Sequence, residues 1–305
     1  MRQPRDAATE VGLLALAVIW GINFSVVKAV METLDPLALN ALRFPLAAGL
    51  LAVVMARKGS IAPRREDRRA LLALGLLGNV VYQMTFIIGI DLTLAGNASL
   101  ILATSPVWTV LLSAAVGEEA RNRVVFAGSA LTLAGVAMVV VGAGQALGWS
   151  MRTLRGDLIM LAAALLWSAY TVGSGPYVRR YGAIQVTAWT LWVGTPVLVV
   201  AGAPALLTTP WREVTPWVWT GVAYAGVFSV GVAYLLWYRG VKRLGNPRTA
   251  IYSNLVPVAA LATAWLWLGE RPSLLQACGA GVILGGISLA RWGVMRPQSA
   301  PSSFR

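Results

Sequence analysis

The chain has no histidine and only one cysteine, Cys278, in 305 residues. Without histidine there is no imidazole for general acid–base work and no Ser/His or Cys/His dyad. A single thiol makes no intrachain disulfide and no Cys/His metal site. Charge is scarce too. Only 12% of residues are Asp, Glu, Lys or Arg, against about 25% in a soluble domain, too few to solvate a globular surface of this size. Conversely, 57% hydrophobic residues exclude an intrinsically disordered chain. Acid is the rarer sign: 12 acidic residues face 25 basic ones, a formal charge of +13. In a soluble protein that excess would suggest nucleic acid. Here its distribution points to a membrane.

A helix that crosses a bilayer needs about 20 mostly apolar residues. Ten such spans are legible: 11–31, 36–55, 70–92, 95–116, 124–142, 157–178, 183–203, 217–238, 246–268 and 272–290. Runs such as Leu13-Leu14-Ala15-Leu16-Ala17-Val18-Ile19 do not alternate, so a β-barrel is excluded and helices satisfy the backbone. Arg2 and Arg5 precede the first span, but its apolar stretch continues to Met31 with no small-residue cleavage site. It is read as an uncleaved helix. With the N-terminus inside, inside segments hold 19 of the 25 Lys/Arg. Outside segments hold four (Arg152, Arg155, Arg212 and Arg271), and Lys28 and Arg43 lie within spans. That bias predicts both termini in the cytoplasm. The cluster Arg64-Arg65-Glu66-Asp67-Arg68-Arg69 is a topology determinant that also touches anionic lipid, not a nucleic-acid patch.

The second half echoes the first. Gly89, Pro106, Gly128 and Gly135 recur 151 residues later as Gly240, Pro257, Gly279 and Gly286. Gly117-Glu118 recurs as Gly269-Glu270, one residue out of register, and Trp20-Gly21 pairs with Trp167-Ser168 at 147. The halves divide as 1–148 and 149–305. Each has five spans, an odd number, so the second copy enters the membrane inverted. Inverted repeats around a midplane site are a hallmark of secondary transporters.

Ala17-Val18-Ile19-Trp20-Gly21-Ile22-Asn23-Phe24, followed by Lys28, Pro36 and Arg43, resembles the opening of EamA-type members of the drug/metabolite transporter superfamily. Ala98-Ser99-Leu100-Ile101 with Pro106 and Gly117-Glu118, and Pro257 with Gly269-Glu270, resemble it as well. The resemblance covers essentially the whole chain. It implies an all-α polytopic membrane protein: ten transmembrane helices in two inverted five-helix repeats around a central cavity. Within the superfamily the chain looks most like the aromatic amino acid exporters. Relatives that export cationic drugs depend on a membrane-embedded glutamate in the first helix. Here Glu10 stands only at that helix's edge, which counts against cationic drugs.

Polar and aromatic residues in mid-span are the candidate cavity lining: Trp20, Asn23, Tyr82, Ser105, Trp108, Trp167, Tyr170, Tyr234, Tyr252 and Asn254. Trp20 and Asn23 are three apart and share a helix face. Trp20, Trp108 and Trp167 would stack on a substrate or pack between helices, whereas Trp149, Trp211, Trp217, Trp219 and Trp292 stand at span ends as an interface belt. Pro106 and Pro257 lack an N–H, so they free the carbonyls of Leu102 and Ser253 and predict bends in spans four and nine. Lys28 and Arg43 fall toward the outer side. They would capture a substrate carboxylate in an outer vestibule, snorkel to headgroups, or pair with Glu32 or Asp35. All acids fall at span ends or in loops, so no embedded acid offers a proton relay. Gly281-Val282-Ile283-Leu284-Gly285 is a GxxxG, read first as a packing face inside the monomer.

These readings predict a secondary transporter that exports neutral amino acids, aromatic ones included, across a bacterial inner membrane by alternating access. A nucleotide sugar or other polar solute is the alternative; phosphate would want clustered Arg/Lys, and only Lys28 and Arg43 qualify. An intramembrane enzyme lacks its base, its paired aspartates and its metal ligands. The expected partners are an amino acid and the lipid bilayer, with no nucleic acid, no cofactor and no metal. The chain is expected to be a monomer or weak homodimer.

Overall fold

The computed structural model describes residues 7–59, 61–115, 123–147, 150–244, 249 and 252–295. Among these the chain is all-helical, with no strand. We number the helices α1 (Ala7–Val30), α2 (Pro36–Lys58), α3 (Arg65–Leu92), α4 (Ala95–Ala115), α5 (Arg123–Leu147), α6 (Met151–Tyr181), α7 (Ala183–Thr208), α8 (Pro216–Leu244), α9 (Ser253–Leu268) and α10 (Leu274–Met295). Among the described residues, α1 to α8 are long and apolar enough to cross a membrane, while α9 and α10 are shorter apolar helices. Against the sequence expectation of ten full spans, eight helices reach that length among the described residues, and Ser253–Leu268 and Leu274–Ala290 are the shorter apolar stretches. Span nine is expected from 246, and residues 246–248, 250 and 251 lie outside the described set. So do Gly117-Glu118, Trp149 and the arginines at 2, 5, 121, 248, 296 and 305 of the charge count.

Local chemistry sets the helix ends. Asp35 caps α2 by accepting from Leu37 N at 2.7 Å, with Pro36 in the first turn, where a missing N–H costs nothing. Thr215 and Pro216 open α8 in the same way. The chain turns at Gly182 (φ 84°) between α6 and α7 and at Gly269 (φ 69°) after α9, a left-handed conformation that favours glycine.

Proline alone does not break a helix here. Pro45, Pro176, Pro196 and Pro204 lie inside α2, α6 and α7 without interrupting them. At Pro106 and Pro257 the ladder does change. α4 stops after Leu102, turns at Ala103 and Thr104, and restarts at Ser105. In the ninth segment helical Tyr252 gives way to a 3-10 turn, Ser253–Leu255, before α-helix resumes at Val256. Two π-helical stretches also interrupt long helices, Leu77–Val81 in α3 and Tyr224–Val232 in α8. Such bulges cluster at functional sites.

Small residues let the helices approach closely. A Cβ at Gly128 on α5 would lie 2.7 Å from Gly286 O on α10, and one at Gly135 would lie 2.9 Å from Gly279 O. The GxxxG of α10 is not this face: among the described residues nothing lies within 4 Å of a Cβ at Gly281 or Gly285. The packing-face expectation is therefore corrected to Gly279 and Gly286, which lie seven apart on the opposite side of the helix. Gly89 meets Met160, and Gly240 meets Leu13. A Cβ at Gly21 on α1 would lie 2.9 Å from Val256 O on α9. Ser168 Oγ on α6 donates to Ser105 O on α4 at 2.8 Å. The largest buried cluster runs between the halves through Phe24, Tyr82, Phe86, Ile101, Met160 and Ala260.

Candidate functional site

Five rings form a chain across the middle of the bundle. Phe24 on α1 meets Phe86 on α3 at 5.8 Å edge-on. Phe86 meets Tyr82 at 6.1 Å, Tyr82 meets Trp167 on α6 at 5.0 Å, and Trp167 meets Tyr170 at 5.5 Å. The Tyr170 hydroxyl is hydrogen-bonded to Thr190 Oγ1 on α7 at 3.0 Å. Tyr170 lies so close to the π-helical turn of α3 that a Cβ at Gly78 would sit 2.4 Å from its ring. A second cluster joins Trp20 to Tyr234 (6.2 Å) and Trp237 (5.8 Å) on α8, and Trp20 Nε1 donates to Ser229 O at 2.9 Å. The sequence-predicted residues thus fall into two groups: Tyr82, Trp167 and Tyr170 in one, Trp20 and Tyr234 in the other.

The α4 break is satisfied locally. Ser105 Oγ donates to the Leu102 carbonyl at 2.6 Å, the group left open by Pro106, and Thr104 Oγ1 donates to Ile101 O at 2.6 Å. Trp108 Nε1 donates to Thr104 Oγ1 at 3.1 Å. Tyr252 and Asn254 are half-buried before and within the 3-10 turn, ahead of buried Pro257.

Arg43 is only 2% exposed. Its Nε donates to Asn40 Oδ1 at 3.0 Å and its Nη2 to Gln83 Oε1 at 3.2 Å. The guanidinium lies over the rings of Phe44 (5.4 Å) and Phe86 (5.8 Å), an arrangement that favours a cation. Among the described residues no Asp or Glu oxygen lies within 4.0 Å of it. Arg43 therefore neither snorkels nor pairs with Glu32 or Asp35. Its guanidinium faces the ring chain at Phe86. Asn23, 6% exposed, has a buried side-chain oxygen without a hydrogen-bond partner among the described residues.

Lys28 is also committed elsewhere than expected. Its Nζ donates to Ile90 O at 3.2 Å and to Thr93 O, closing the C-terminal end of α3. Thr93 begins a buried junction between α3 and α4. Its hydroxyl donates to Asp157 Oδ1 on α6 at 2.5 Å, and Asn97 Nδ2 reaches both Asp157 oxygens at 3.4 Å. Gln276 Nε2 on α10 donates to Asn97 Oδ1 at 2.9 Å. Glu270 accepts from Ala95 N at 2.9 Å and Gly96 N at 3.1 Å, capping α4. At the other end of α3, Asp67 accepts from Arg180 Nη1 at 2.7 Å and from the Tyr181 hydroxyl at the end of α6. The sequence puts Asp157 at a span edge. The helix actually starts at Met151, so the carboxylate lies nearly two turns inside it and 3% exposed. Asn40, Asn97, Gln276 and Trp237 also escape a sequence reading, because nothing in a linear pattern says which polar side chains converge.

Two stretches of the chain, 8–141 and 154–292, each match the EamA-like transporter family. The chain is 28% identical over 281 residues to a probable terminal-alkyne amino-acid exporter of Streptantibioticus cattleyicolor, covering 91% of each. It is 29% identical over 293 residues to a probable amino-acid metabolite efflux pump of Escherichia coli, covering 93% of this chain and 95% of that one. An uncharacterized transporter of Archaeoglobus fulgidus is 30% identical over 280 residues, covering 91% of this chain and 95% of that one. One crystal structure superposes with a TM-score of 0.68 at 23% identity, covering 97% of this chain and all of the other, and so shares the fold.

Proposed function

The chain belongs to the EamA-like transporter family, and on that premise we propose that it exports neutral amino acids, aromatic ones included, by alternating access. It is a multi-pass membrane protein of a transporter family, not an enzyme. Export of amino acid-like metabolites is supported by the two relatives named as amino-acid exporters. Aromatic capacity rests on one observation: Tyr82 from the first half meets Trp167 and, through it, Tyr170 from the second beside the interrupted α4. Rings from both halves would move apart as the halves rearrange, which suits a site that a planar side chain enters and leaves.

Ten spans in two inverted repeats remain the architecture we propose. What supports it is a contact set that survives exchange of the halves. Gly128 with Gly286 becomes Gly279 with Gly135, and Gly89 with Met160 becomes Gly240 with Leu13. Gly21 against Val256 O becomes Ser168 against Ser105 O. In this reading the α3–α4 junction with Lys28, Asp157 and Glu270 closes the outer side, and Asp67 with Arg180 ties the inner side. The Lys/Arg bias supports both termini in the cytoplasm, and the inner membrane of a bacterial cell is the location that goes with this proposal. A nucleotide sugar is not favoured, since Lys28 is occupied by backbone carbonyls and leaves Arg43 alone.

The test is flux from liposomes that hold the purified protein and radiolabelled phenylalanine, with threonine and a nucleotide sugar as parallel solutes. Saturable phenylalanine release is expected, reduced by Trp20→Ala and by Trp167→Ala at equal protein level. Release of the nucleotide sugar but not of amino acids would sink the reading.

A further inference from the structure

The geometry points to Arg43 and Asn23 as the two ends of a clamp for the carboxylate and ammonium groups of an α-amino acid. This inference rests on the amino-acid reading above and adds which part of the substrate every cargo must share.

Consider what each group lacks. A guanidinium carries five N–H donors. Those of Arg43 reach only Asn40 and Gln83, both neutral, and the charge has no carboxylate partner among the described residues. Breaking or omitting the partner of a buried cation is strongly unfavourable, so an arginine inside a membrane bundle marks a substrate or ion path by default. Its planar fork matches a carboxylate in bidentate fashion. Asn23 presents the complementary need, a buried oxygen acceptor with no donor among the described residues.

The second half of the chain shows why these two belong together. Asn23 and Tyr170 are 147 residues apart, as are Arg43 and Thr190, the same separation as Trp20 and Trp167. Packing agrees with that register. A Cβ at Gly226 would lie 2.5 Å from Arg43 O, one at Gly75 would lie 3.0 Å from Thr190 O, and Gly75 and Gly226 are 151 apart. In the second half the pair is closed: the long Tyr170 side chain spans to Thr190 Oγ1 at 3.0 Å. In the first half the same two positions carry a shorter asparagine and an arginine, and neither bonds to the other. The contact that one repeat makes internally is left in the other for a ligand with an anionic and a cationic end. A zwitterion supplies both. From Phe86, against the guanidinium, the ring chain runs to Tyr82 and Trp167, where an aromatic side chain would lie.

The experiment measures phenylalanine efflux from liposomes containing the full-length protein, with three competitors: phenylalaninamide, phenethylamine and 3-phenylpropionate. For the wild type, phenylpropionate should compete and the two compounds without a carboxylate should not. Arg43→Gln should raise the half-saturation concentration for phenylalanine about tenfold or more, equivalent to ~1.4 kcal/mol, and erase the discrimination against phenylalaninamide. Arg43→Lys should keep part of it. Asn23→Leu should weaken phenylalanine while leaving inhibition by phenylpropionate unchanged. Wild-type efflux inhibited equally by all three compounds would overturn the clamp while leaving amino-acid export intact. So would an Arg43→Gln protein that keeps the wild-type half-saturation and preference. Absence of any amino-acid flux in the wild type would instead overturn the functional reading itself. The competition series needs no variant, so a poorly folding Arg43→Gln protein does not remove the test.

Discussion

Replacing Glu270 by alanine should loosen the tie between the α3–α4 junction and the α9–α10 junction. The carboxylate receives two backbone N–H groups, Ala95 N at 2.9 Å and Gly96 N at 3.1 Å, at the N-terminus of α4. Those donors have no partner within the helix, and the helix dipole adds attraction for a negative charge. Loss of a neutral N-cap costs about 1 kcal/mol, and charge-assisted bonds are roughly twice as strong. Glu270 is only half-buried, so water recovers part of the loss, and the net cost of Glu270→Ala is set at about 2 kcal/mol. For a chain of this size that is a drop of about 3 °C in melting temperature. Glu270→Gln keeps one acceptor oxygen and should lose about half as much. The assay is thermal unfolding of the purified protein in detergent micelles, with exposed Arg271→Ala as the control that stays near wild type. A Glu270→Ala protein that melts with the wild type would rule out this stabilising cap, because it would mean that water replaces the carboxylate at no cost.

Further outcomes are expected elsewhere. Gly128→Val should destabilise the fold by about 1–3 kcal/mol through overpacking, since a Cβ there meets Ala290 N at 2.5 Å; Gly281→Ala, with open space around it, should not, and equal melting of the two would contradict the packing assigned to α5 and α10. Asp157→Ala strands the Thr93 hydroxyl and the Asn97 amide, at about 1–3 kcal/mol for each buried group left unpaired, whereas Asp157→Asn retains an acceptor and should melt closer to wild type. Gly78→Ala pushes on a Tyr170 ring anchored at Thr190, so phenylalanine efflux should fall further than the yield of folded protein does; parallel losses would point to packing alone.

Much of the architecture is legible in the residues alone. Scarce charge and long apolar runs fix a helical membrane protein, because only helices of that composition satisfy their backbone in lipid. The recurring glycines are visible as spacing, and four of them, Gly128, Gly135, Gly279 and Gly286, prove to be points where α5 and α10 touch. Pro106 and Pro257 stand at helix restarts, yet Pro45, Pro176, Pro196 and Pro204 do not interrupt their helices. Proline in a sequence marks a missing N–H, but the neighbours decide whether the ladder breaks. Mid-span aromatics can be picked out along the chain, and their partners cannot. Trp20 goes to α8 and Trp167 to Tyr82 because of how helices far apart in the chain pack.

Charges depend most on the tertiary structure. Lys28 and Arg43 look alike in sequence, two cations in apolar helices. One closes the end of α3 through two carbonyls, while the other is buried among amides and phenyl rings with donors to spare. Asp157 looks like a span edge and is a buried acceptor for three donor contacts. Composition sets how many charges a membrane chain carries, since each costs free energy in lipid. Which of them are already satisfied, and which await a ligand, follows from contacts between residues tens or hundreds of positions apart.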